Sequence, residues 1–388
     1  LDPAAMKEIF TSDNSLFGFI DVISGGAFQN ATIFAMSITP YINSSIIMQL
    51  LTVAIPALER LQKQGEDGRK KIAQITRYGT VVLAFIQAIG LYFMLKSYNA
   101  VTNPGLLTAV VVIFTFTAGT AFLMWLGEQI TEKGVGNGIS LIIFAGIVSR
   151  LPSMAQSLYA YAKGGGIGLI GVVALLIMIV VVVGLVVMMN EAERRIPVQY
   201  AKRVVGRKMY GGQSTHIPIK VASAGVIPII FAMSIMSFPS TIAGFFGVTS
   251  QTGGFWGGFL KIFSSTSWVY AILYFLLIIF FTYFYTAIQF NPIEMSNNMK
   301  KNGGFIPGIR PGRPTSEYIS KTLSRITLVG AIFLGLIAIL PIFINLGLGI
   351  NNFAIGGTSL LIVVGVALET VKDMESQMLM RHYKGFLE

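Results

Sequence analysis

The chain has 388 residues, of which 54% are hydrophobic and only 12% are charged, whereas an average soluble domain carries about 25% charged residues. Most of its surface must therefore face lipid, and the composition predicts an integral membrane protein. The absence of cysteine excludes disulfides and thiolate metal sites, and the net charge of +11 in such a protein usually reflects cytoplasmic loops rather than nucleic-acid binding.

Nine apolar runs follow one another along the chain, and most of them approach the roughly 20 residues that a helix needs to cross the hydrocarbon core. Eight are clear candidates for membrane spans, whereas the fourth is short enough to be ambiguous by hydropathy alone. The nine runs are 31–55, 78–96, 107–127, 139–152, 167–190, 222–246, 267–290, 326–347 and 354–371.

The distribution of lysine and arginine sets the predicted orientation. Three connections, 60–77, 194–220 and 300–325, are rich in these residues, and the connections between them hold almost none. Loops of this kind stay on the cytoplasmic side. If the short run 139–152 did not cross the membrane, both later basic connections would face outward. The charge pattern therefore predicts that this short segment crosses.

The start of the chain carries a related expectation. The same orientation places Leu1 on the outer side of the membrane, ahead of an inbound helix. The chain opens without Met, without a cleavable signal and without the apolar segment that such a signal contains. We therefore expect at least one further transmembrane helix before Leu1 in the full protein, which would make ten spans.

No segment offers a pattern of enzyme chemistry. His216 lies in a basic connection and His382 in the tail, where a solvated side chain is far more common than a metal ligand. The glycine clusters GVGNG and GGGIG lack the ending of a phosphate-binding loop. Glu128, Glu191 and Glu369 lie at span ends, which argues against an ion-coupled transporter. We expect no catalytic residue, no cofactor and no metal.

Two helices combine polar side chains or prolines in an unusual way for membrane spans. The first contains IFAMSITPYINSSIIMQLL, whose polar groups are tolerated against other helices or against water. The second, AGVIPIIFAMSIMSFPS, contains Pro228 and Pro239, and proline bends a helix by removing a hydrogen bond. Together they predict two hinged walls that could part, although any single polar side chain more often serves packing between helices.

Several long blocks of the sequence occur in a recognisable order. They are GGAFQNATIFAMSITPYINSSIIMQLL, KQGEDGRKKIAQITRYGT, WLGEQITEKGVGNGISLIIFAGIV, RRIPVQYAKRVVGRKMYGGQSTHIPIKV, GGFIPGIRPGRPTSEYI and GGTSLLIVVGVALE. The set resembles the SecY family of protein-conducting channels over essentially the whole chain. This resemblance implies an all-α integral membrane protein, a bundle of two pseudo-symmetric halves around an hourglass pore, with nine spans present of ten. The halves would be 1–166 and 167–388.

The resemblance also implies a ring of bulky aliphatic side chains at the waist of the pore. The matching positions are Ile38, Ile42, Ile139, Ile143, Ile230 and Ile362. A narrow apolar constriction excludes water and ions by dewetting, while flexible aliphatic side chains can close around a chain of any sequence. Glycines at 134, 136 and 138 permit the tight reversal that would aim the short helix at this waist. On periodicity alone, each isoleucine would be ordinary core.

The segment 15–29 resembles the plug of the family, a short helix that blocks the outer funnel at rest. Its apolar side chains are Leu16, Phe17, Phe19, Ile20, Val22 and Ile23, and the following glycines, Gly25 and Gly26, offer a hinge. From the sequence alone the segment would be an interfacial helix, because it is amphipathic and far too short to span.

A lateral gate toward the lipid is the next implication of the resemblance. The first and second apolar runs would face the sixth and seventh, and signal peptides and membrane segments would leave between them. Gln49 matches a polar gate position. Two positions depart from the family pattern, because Ala222 stands where relatives usually carry Asn and Ile293 stands where Arg is common.

The basic connections carry the implied partners. Arg207 and Lys208 match a basic pair of the family, and Arg310 in PGIRPG matches an arginine implied in docking the SecA motor ATPase or the ribosome. Basic loop tips suit an acidic protein surface and ribosomal RNA phosphate alike. The same charges could simply hold the loops on the cytoplasmic side.

The remaining implications concern assembly and function. The resemblance implies SecE-like and SecG-like small membrane subunits, unfolded polypeptides and signal peptides as substrates, release of membrane segments into membrane lipid, and a place in the bacterial cytoplasmic membrane. The protein would be a passive pore driven by SecA or the ribosome. The alternative, from a different class, is a small-solute secondary transporter.

Overall fold

The computed structural model of the protein describes residues 25–27, 30, 32–97, 100–153, 155–156, 159, 169–200, 203–205, 208–210, 214–222, 225–245, 258, 260, 267–348 and 357–384. Within these residues, each of the nine apolar runs contains a helix. The helices are α1 Thr39–Ala54, α2 Pro56–Lys63, α3 Glu66–Ser97, α4 Leu106–Lys133, α5 Gly138–Ser149, α6 Leu169–Glu191, α7 Ile227–Phe245, α8 Trp268–Gln289, α9 Pro292–Lys301, α10 Arg313–Leu348 and α11 Gly357–Lys384.

Three helices extend by more than ten residues beyond the apolar runs that predicted them. Helix α3 begins at Glu66 instead of residue 78, α10 begins at Arg313 instead of residue 326, and α11 continues to Lys384. The added turns carry charged side chains that belong in water, so hydropathy could not reveal them. Much of what the sequence indicated as basic loop is therefore helix that projects from the membrane.

A sharp bend separates α1 from α2. The two helices meet at an angle of 100° across a single residue, Ile55. Pro56 begins α2 and cannot donate a backbone hydrogen bond, and the residue before a proline avoids the helical region. Ile55 is accordingly extended, with φ −107° and ψ 113°. The chain therefore changes direction where the apolar helix α1 ends and the charged helix α2 begins.

Five of the described helices are long and apolar enough to cross a membrane, or six if α1 and α2 count as one span. Helix α5 has 12 residues, fewer than the roughly 20 that a full crossing needs. The expected all-α, multi-pass class is confirmed, whereas the count of nine spans stays a prediction. Of the two prolines expected to break α7, only Pro239 lies inside it, because Pro228 occupies the first turn, where a missing N–H costs little.

The two later basic connections contain β-strands that the sequence analysis did not predict. Strand β1 pairs antiparallel with β4, placing Ile196 opposite Ile217, and its end pairs with β5, where Gln199 lies opposite Phe305. A separate hairpin joins β2 and β3. The strands are β1 Glu193–Tyr200, β2 Arg203–Val205, β3 Lys208–Tyr210, β4 Ser214–Lys220 and β5 Gly304–Phe305.

This small sheet packs against α9 and the first turns of α10. Ile196, Val198 and Ile219 are buried in one apolar cluster with Met299 and Ile319 of those helices. The alternation of buried and exposed positions along β1 is what a sheet with one covered face requires. Packing therefore joins the two later basic connections into one structured unit.

The membrane-embedded helices form two larger apolar clusters. One is built mainly by α3 and α4 and includes Tyr92 and Phe116. The other joins α6, α7, α8, α10 and α11, and it also contains Ile46 of α1. Large apolar side chains on the outside stay uncovered, such as Ile177 and Val180 of α6, which are 60% and 70% exposed. Such a surface is stable in lipid rather than in water.

Candidate functional site

Five of the six isoleucines expected at the waist of a pore lie in one apolar cluster. Ile38, Ile143 and Ile362 are buried there, with exposed fractions of 0%, 5% and 3%. Ile42 and Ile139 are partly buried and pack against them. These side chains come from the start of α1, from α5 and from α11, which are far apart in the sequence. Packing, rather than local sequence, brings them together.

The sixth isoleucine, Ile230 of α7, occupies a neighbouring position. It packs against the large cluster of α6, α7, α8, α10 and α11, and it is not among the residues of the isoleucine cluster. Ile42 and Val226 contact both clusters. The structure thus places five candidates together and the sixth in the adjoining cluster.

Two further buried aliphatic residues belong to the isoleucine cluster, and the sequence analysis does not predict them. Ile147 of α5 and Val366 of α11 are both buried in it. Each lies four positions after a predicted member, Ile143 and Ile362, and residues at this spacing share one helix face. This spacing of four residues is the sequence pattern from which both residues could have been predicted. The cluster therefore extends about two helical turns along α5 and about one turn along α11.

The turn before α5 positions that helix. Gly136 has φ +76°, in the left-handed region that favours glycine. The side-chain oxygen of Asn137 accepts hydrogen bonds from the backbone N–H groups of Ile139 and Ser140, at 3.1 and 3.3 Å. A Cβ atom on Gly138 would lie 2.0 Å from the carbonyl oxygen of Gly127. The glycines therefore allow α5 to pack tightly on α4 and direct its isoleucines inward.

The start of α1 is held by a strained turn. Ser37 has φ +51°, uncommon for a residue with a side chain, and its carbonyl oxygen accepts a hydrogen bond of 3.3 Å from the Thr120 hydroxyl. The Thr39 hydroxyl oxygen is buried and has no hydrogen-bond partner among the described residues. Ile38, between them, is fully buried. Tertiary packing thus maintains an unfavourable local geometry next to the isoleucine cluster.

The polar residues of α1 divide between two roles. The Ser44 hydroxyl is buried and donates a hydrogen bond of 2.9 Å to the carbonyl oxygen of Thr76 on α3. Ser44 therefore joins two helices, which is the packing role that the sequence left open. Gln49 is exposed, and its backbone carbonyl accepts a 2.7 Å hydrogen bond from the Thr52 hydroxyl. Its side chain is available on the surface of α1.

A seam lies where α1 meets the helices that follow residue 226. Ile46 of α1 is buried in the same cluster as Ile229, Ala232 and Met236 of α7. Helices α3 and α7 are also in contact. This is the pairing expected for a lateral gate, in an arrangement where the two sides touch. Ala222 lies in the turn before α7 and its carbonyl accepts a hydrogen bond of 3.0 Å from Gly225 N–H.

No charged side chain among the described residues is buried. None of the buried polar side chains there is an Asp, Glu, Lys or Arg, since all of them are Ser or Thr. Glu128 is paired with Arg77 at 2.6 Å, and Glu191 with Lys372 at 2.7 Å. No cluster of three metal-binding side chains is found in this part of the chain.

The predicted docking residues have different outcomes. Arg310 is exposed in the loop before α10, and its carbonyl oxygen accepts a hydrogen bond of 2.9 Å from the Thr315 hydroxyl, which fixes the loop backbone. Gly308 and Gly312 on either side have φ +81° and +105°. Lys208 begins strand β3. Arg207 lies outside the described residues.

The predicted plug side chains also lie outside the described residues: Leu16, Phe17, Phe19, Ile20, Val22 and Ile23. The hinge that follows them is described. Gly25 and Gly26 have φ +66° and +86°. A Cβ atom on Gly25 would lie 2.9 Å from the Ser149 hydroxyl oxygen, at the end of α5. The hinge is therefore close to the end of the helix that carries Ile139 and Ile143.

Comparisons with known proteins agree with this arrangement. A model of the SecY family matches residues 32–371. The protein translocase subunit SecY of Halalkalibacterium halodurans is 47% identical over 397 residues, which cover 100% of this chain and 92% of that protein. The subunit of the same name from Streptomyces coelicolor is 49% identical over 391 residues, covering 97% and 88%.

Solved structures share the fold at lower sequence identity. One described as the structure of a protein conducting channel has a TM-score of 0.63 and 20% identity, covering 93% of this chain and 84% of that one. Sec61 in the canine ribosome-channel complex from the endoplasmic reticulum gives 0.60 and 19%, covering 93% and 84%. These two similarities concern the fold alone.

Proposed function

The chain belongs to the SecY family, and we propose that it forms the channel through which unfolded secretory polypeptides cross the bacterial cytoplasmic membrane. The observation that carries this function is the isoleucine cluster, which joins three distant segments at one place inside a membrane protein. Two relatives of the chain, 47% and 49% identical to it, are named protein translocase subunit SecY. The protein is a passive pore without catalysis of its own.

The constriction consists of Ile38, Ile42, Ile139, Ile143, Ile230 and Ile362. Five of them already pack together, and Ile230 adjoins them through Ile42 and Val226. At rest these side chains exclude water and ions. When a polypeptide enters, Ile230 completes the ring on the side of α7, and rotamer changes of branched aliphatic side chains accommodate cargo of any sequence. The plug residues near the Gly25 hinge supply a second seal.

The seam between α1 and α7 is the lateral gate. Helices α1 and α3 belong to the N-terminal half, 1–166, whereas α7 and α8 belong to the C-terminal half, 167–388. The contacts across the seam are apolar, with Ile46 against α7, so a hydrophobic signal peptide or membrane segment can replace them without leaving a polar group unpaired. Gln49, exposed on α1, is the polar residue of the gate. A second polar residue is absent, because Ala222 stands where relatives usually carry Asn.

The cytoplasmic loops receive the partners that drive transport. Arg310, with Arg207 and Lys208, binds the SecA motor ATPase or the ribosome. An exposed arginine on a loop whose backbone is fixed offers a well-placed positive charge to an acidic protein surface or to RNA phosphate. Sec61, a structural neighbour, was itself solved in a ribosome complex. SecE-like and SecG-like small membrane subunits would cover part of the exposed apolar surface.

The alternative of a small-solute secondary transporter has less support. Coupling sites of such transporters usually need intramembrane ionisable groups, and the buried polar residues that the structure describes are only Ser and Thr. The relatives with 47% and 49% identity are both named as translocase subunits.

A stalled secretory precursor tests the function directly. A photoreactive amino acid is placed at Ile143 or Ile230, and a matched control carries it at Ile177, which is 60% exposed on α6. The channel predicts adducts with the precursor at the first two positions and with lipid at the third. Solute uptake by the reconstituted protein, together with no precursor adduct at either isoleucine, would support the transporter instead.

A further inference from the structure

A cavity of about 900 Å³ lies where α9 meets the first turns of α10. Its walls combine hydroxyl, amide and basic side chains, which are the groups that bind phosphate esters. The part contributed by α10 contains Arg313, Ser316, Glu317, Ser320, Lys321, Ser324 and Arg325. The cavity is part neither of the isoleucine cluster nor of the seam between α1 and α7.

The charge of the cavity is positive where it approaches the membrane. Arg313 is paired with Glu317, with its Nε 3.0 Å from Oε1, so these two charges largely cancel. Lys321 and Arg325 form no ion pair with a carboxylate of the described residues. Both face the cavity one helical turn apart, and two unpaired positive charges at this end attract an anion.

The same face of α10 continues into an exposed apolar stripe. Val329, Ile332 and Leu336 follow Arg325 at spacings of four, three and four residues, which keeps them on one side of the helix. Their exposed fractions are 57%, 39% and 54%. At 1.5 Å per residue, the stripe extends about 16 Å from Arg325 to Leu336, about half of the roughly 30 Å hydrocarbon core. The stripe is therefore as long as one lipid leaflet is thick.

Helix α8 borders this surface at the level of the basic pair. The Tyr283 hydroxyl donates a hydrogen bond of 3.0 Å to the carbonyl oxygen of Ser324, which joins α8 to α10 beside the cavity. Phe280, one turn deeper in the membrane on α8, is 59% exposed. A ligand in the cavity would thus have basic and hydroxyl groups around one end and apolar side chains along the other.

We propose that this cavity binds an anionic phospholipid of the cytoplasmic leaflet. The phosphate lies between Lys321 and Arg325, the Ser320 hydroxyl donates to it, and an acyl chain follows Val329 and the rest of the apolar stripe. A soluble phosphate or an acidic peptide would use the charges but leave the stripe uncovered. Lipid binding at this site does not depend on transport through the pore. The proposed ligand is a phospholipid that stays bound, and not a membrane segment that passes through the lateral gate.

The test uses the full chain with its membrane subunits in phosphatidylcholine vesicles. Trace amounts of phosphatidylglycerol or phosphatidylcholine are added, each with the same photoreactive acyl chain, and labelling of the α10 segment 326–336 is measured by mass spectrometry. The test variant combines Lys321→Gln and Arg325→Gln. The matched control combines Lys300→Gln and Lys301→Gln, which removes the same charge from exposed positions outside the cavity.

The phosphatidylglycerol probe should label this segment many times more than the phosphatidylcholine probe. The test variant should lose most of that preference, since each basic side chain near the surface strengthens anionic lipid binding roughly fivefold, and the control variant should keep it. Equal labelling of the unaltered protein by both probes would overturn the proposal and requires no variant. Displacement of the probe by inorganic phosphate or by a polyglutamate peptide would also overturn it, because the site would then bind a soluble anion.

Discussion

The side-chain oxygen of Asn137 accepts a hydrogen bond of 3.1 Å from the backbone N–H of Ile139, so the residue that caps α5 also fixes the first isoleucine of that helix. Because α5 has only 12 residues, a large part of its backbone N–H groups belongs to the first turn and needs partners outside the helix. The Asn137 cap therefore stabilises α5 and also helps to position Ile139 at the constriction.

Removing this cap should destabilise the protein measurably. Asn137→Ala leaves the Ile139 and Ser140 N–H groups without the side-chain acceptor, and loss of an N-cap costs about 1 kcal/mol. The free energy of unfolding in a mild denaturing detergent series measures this loss. Asn137→Asp keeps an acceptor oxygen and should retain most of the stability. Equal stability of the alanine and aspartate variants would show that the cap is not required.

The close approach of α4 and α5 should make Gly138 intolerant of a side chain. The Cβ of Gly138→Ala would lie 2.0 Å from the Gly127 carbonyl oxygen, so the helices must separate, and overpacking of this kind typically costs about 1–3 kcal/mol. Thermal unfolding measures the change. Gly184→Ala on α6 is the control, because its Cβ would have no neighbour within 4 Å, and its midpoint should stay the same or rise.

A polar side chain in the isoleucine cluster should let ions through the resting channel. Ile362→Ser replaces a fully packed apolar group with a smaller, hydrated one, which opposes dewetting of the constriction. Ion efflux from vesicles that contain the reconstituted protein should rise severalfold. The control is Ile177→Ser on the lipid-facing side of α6, where no change is expected. Equal leakage from both variants would mean that Ile362 does not seal a pore.

Charge reversal at Arg310 should separate transport from membrane insertion. Arg310→Glu puts a repulsive charge where an acidic surface or RNA would dock, and we expect near-complete loss of SecA-driven export with a normal amount of the protein in the membrane. Arg69→Glu, at an exposed position of α3, controls for the change in net charge. Export rates of a secretory precursor provide the measurement, and a normal rate in the Arg310 variant would refute the assignment.

The sequence predicted the membrane class and the position of every apolar helix that the structure describes, because lipid imposes long apolar segments that hydropathy detects. It did not predict where α3 and α10 begin or where α11 ends, since their added turns carry charged residues such as Glu66 and Lys384 that are common in loops. Strand β1 was missed for a related reason. Its alternation around Ile196 and Val198 is too short to distinguish a strand from a basic connection.

The candidate site was predicted from motif similarity more than from physical pattern. Nothing in the periodicity of α11 distinguishes Ile362 from ordinary core, because its partners Ile38 and Ile143 are hundreds of residues away. The cavity between α9 and α10 could not be predicted from the sequence, because it is formed by the approach of these two helices. In contrast, Ile147 and Val366 were accessible to sequence reasoning through the i+4 spacing on helices already assigned to the site.

The central claim is that six isoleucines surround a polypeptide at a single level of the pore, and cysteine mapping tests it most directly. The chain has no cysteine of its own, so single variants Ile38→Cys, Ile143→Cys, Ile230→Cys and Ile362→Cys can each be combined with a stalled precursor that carries one cysteine. A disulfide requires Cα atoms within about 7 Å. We expect one and the same precursor position to form the strongest disulfide with all four variants, and none with Ile177→Cys. Strong disulfides at widely separated precursor positions, or reaction only with Ile177→Cys, would contradict the account.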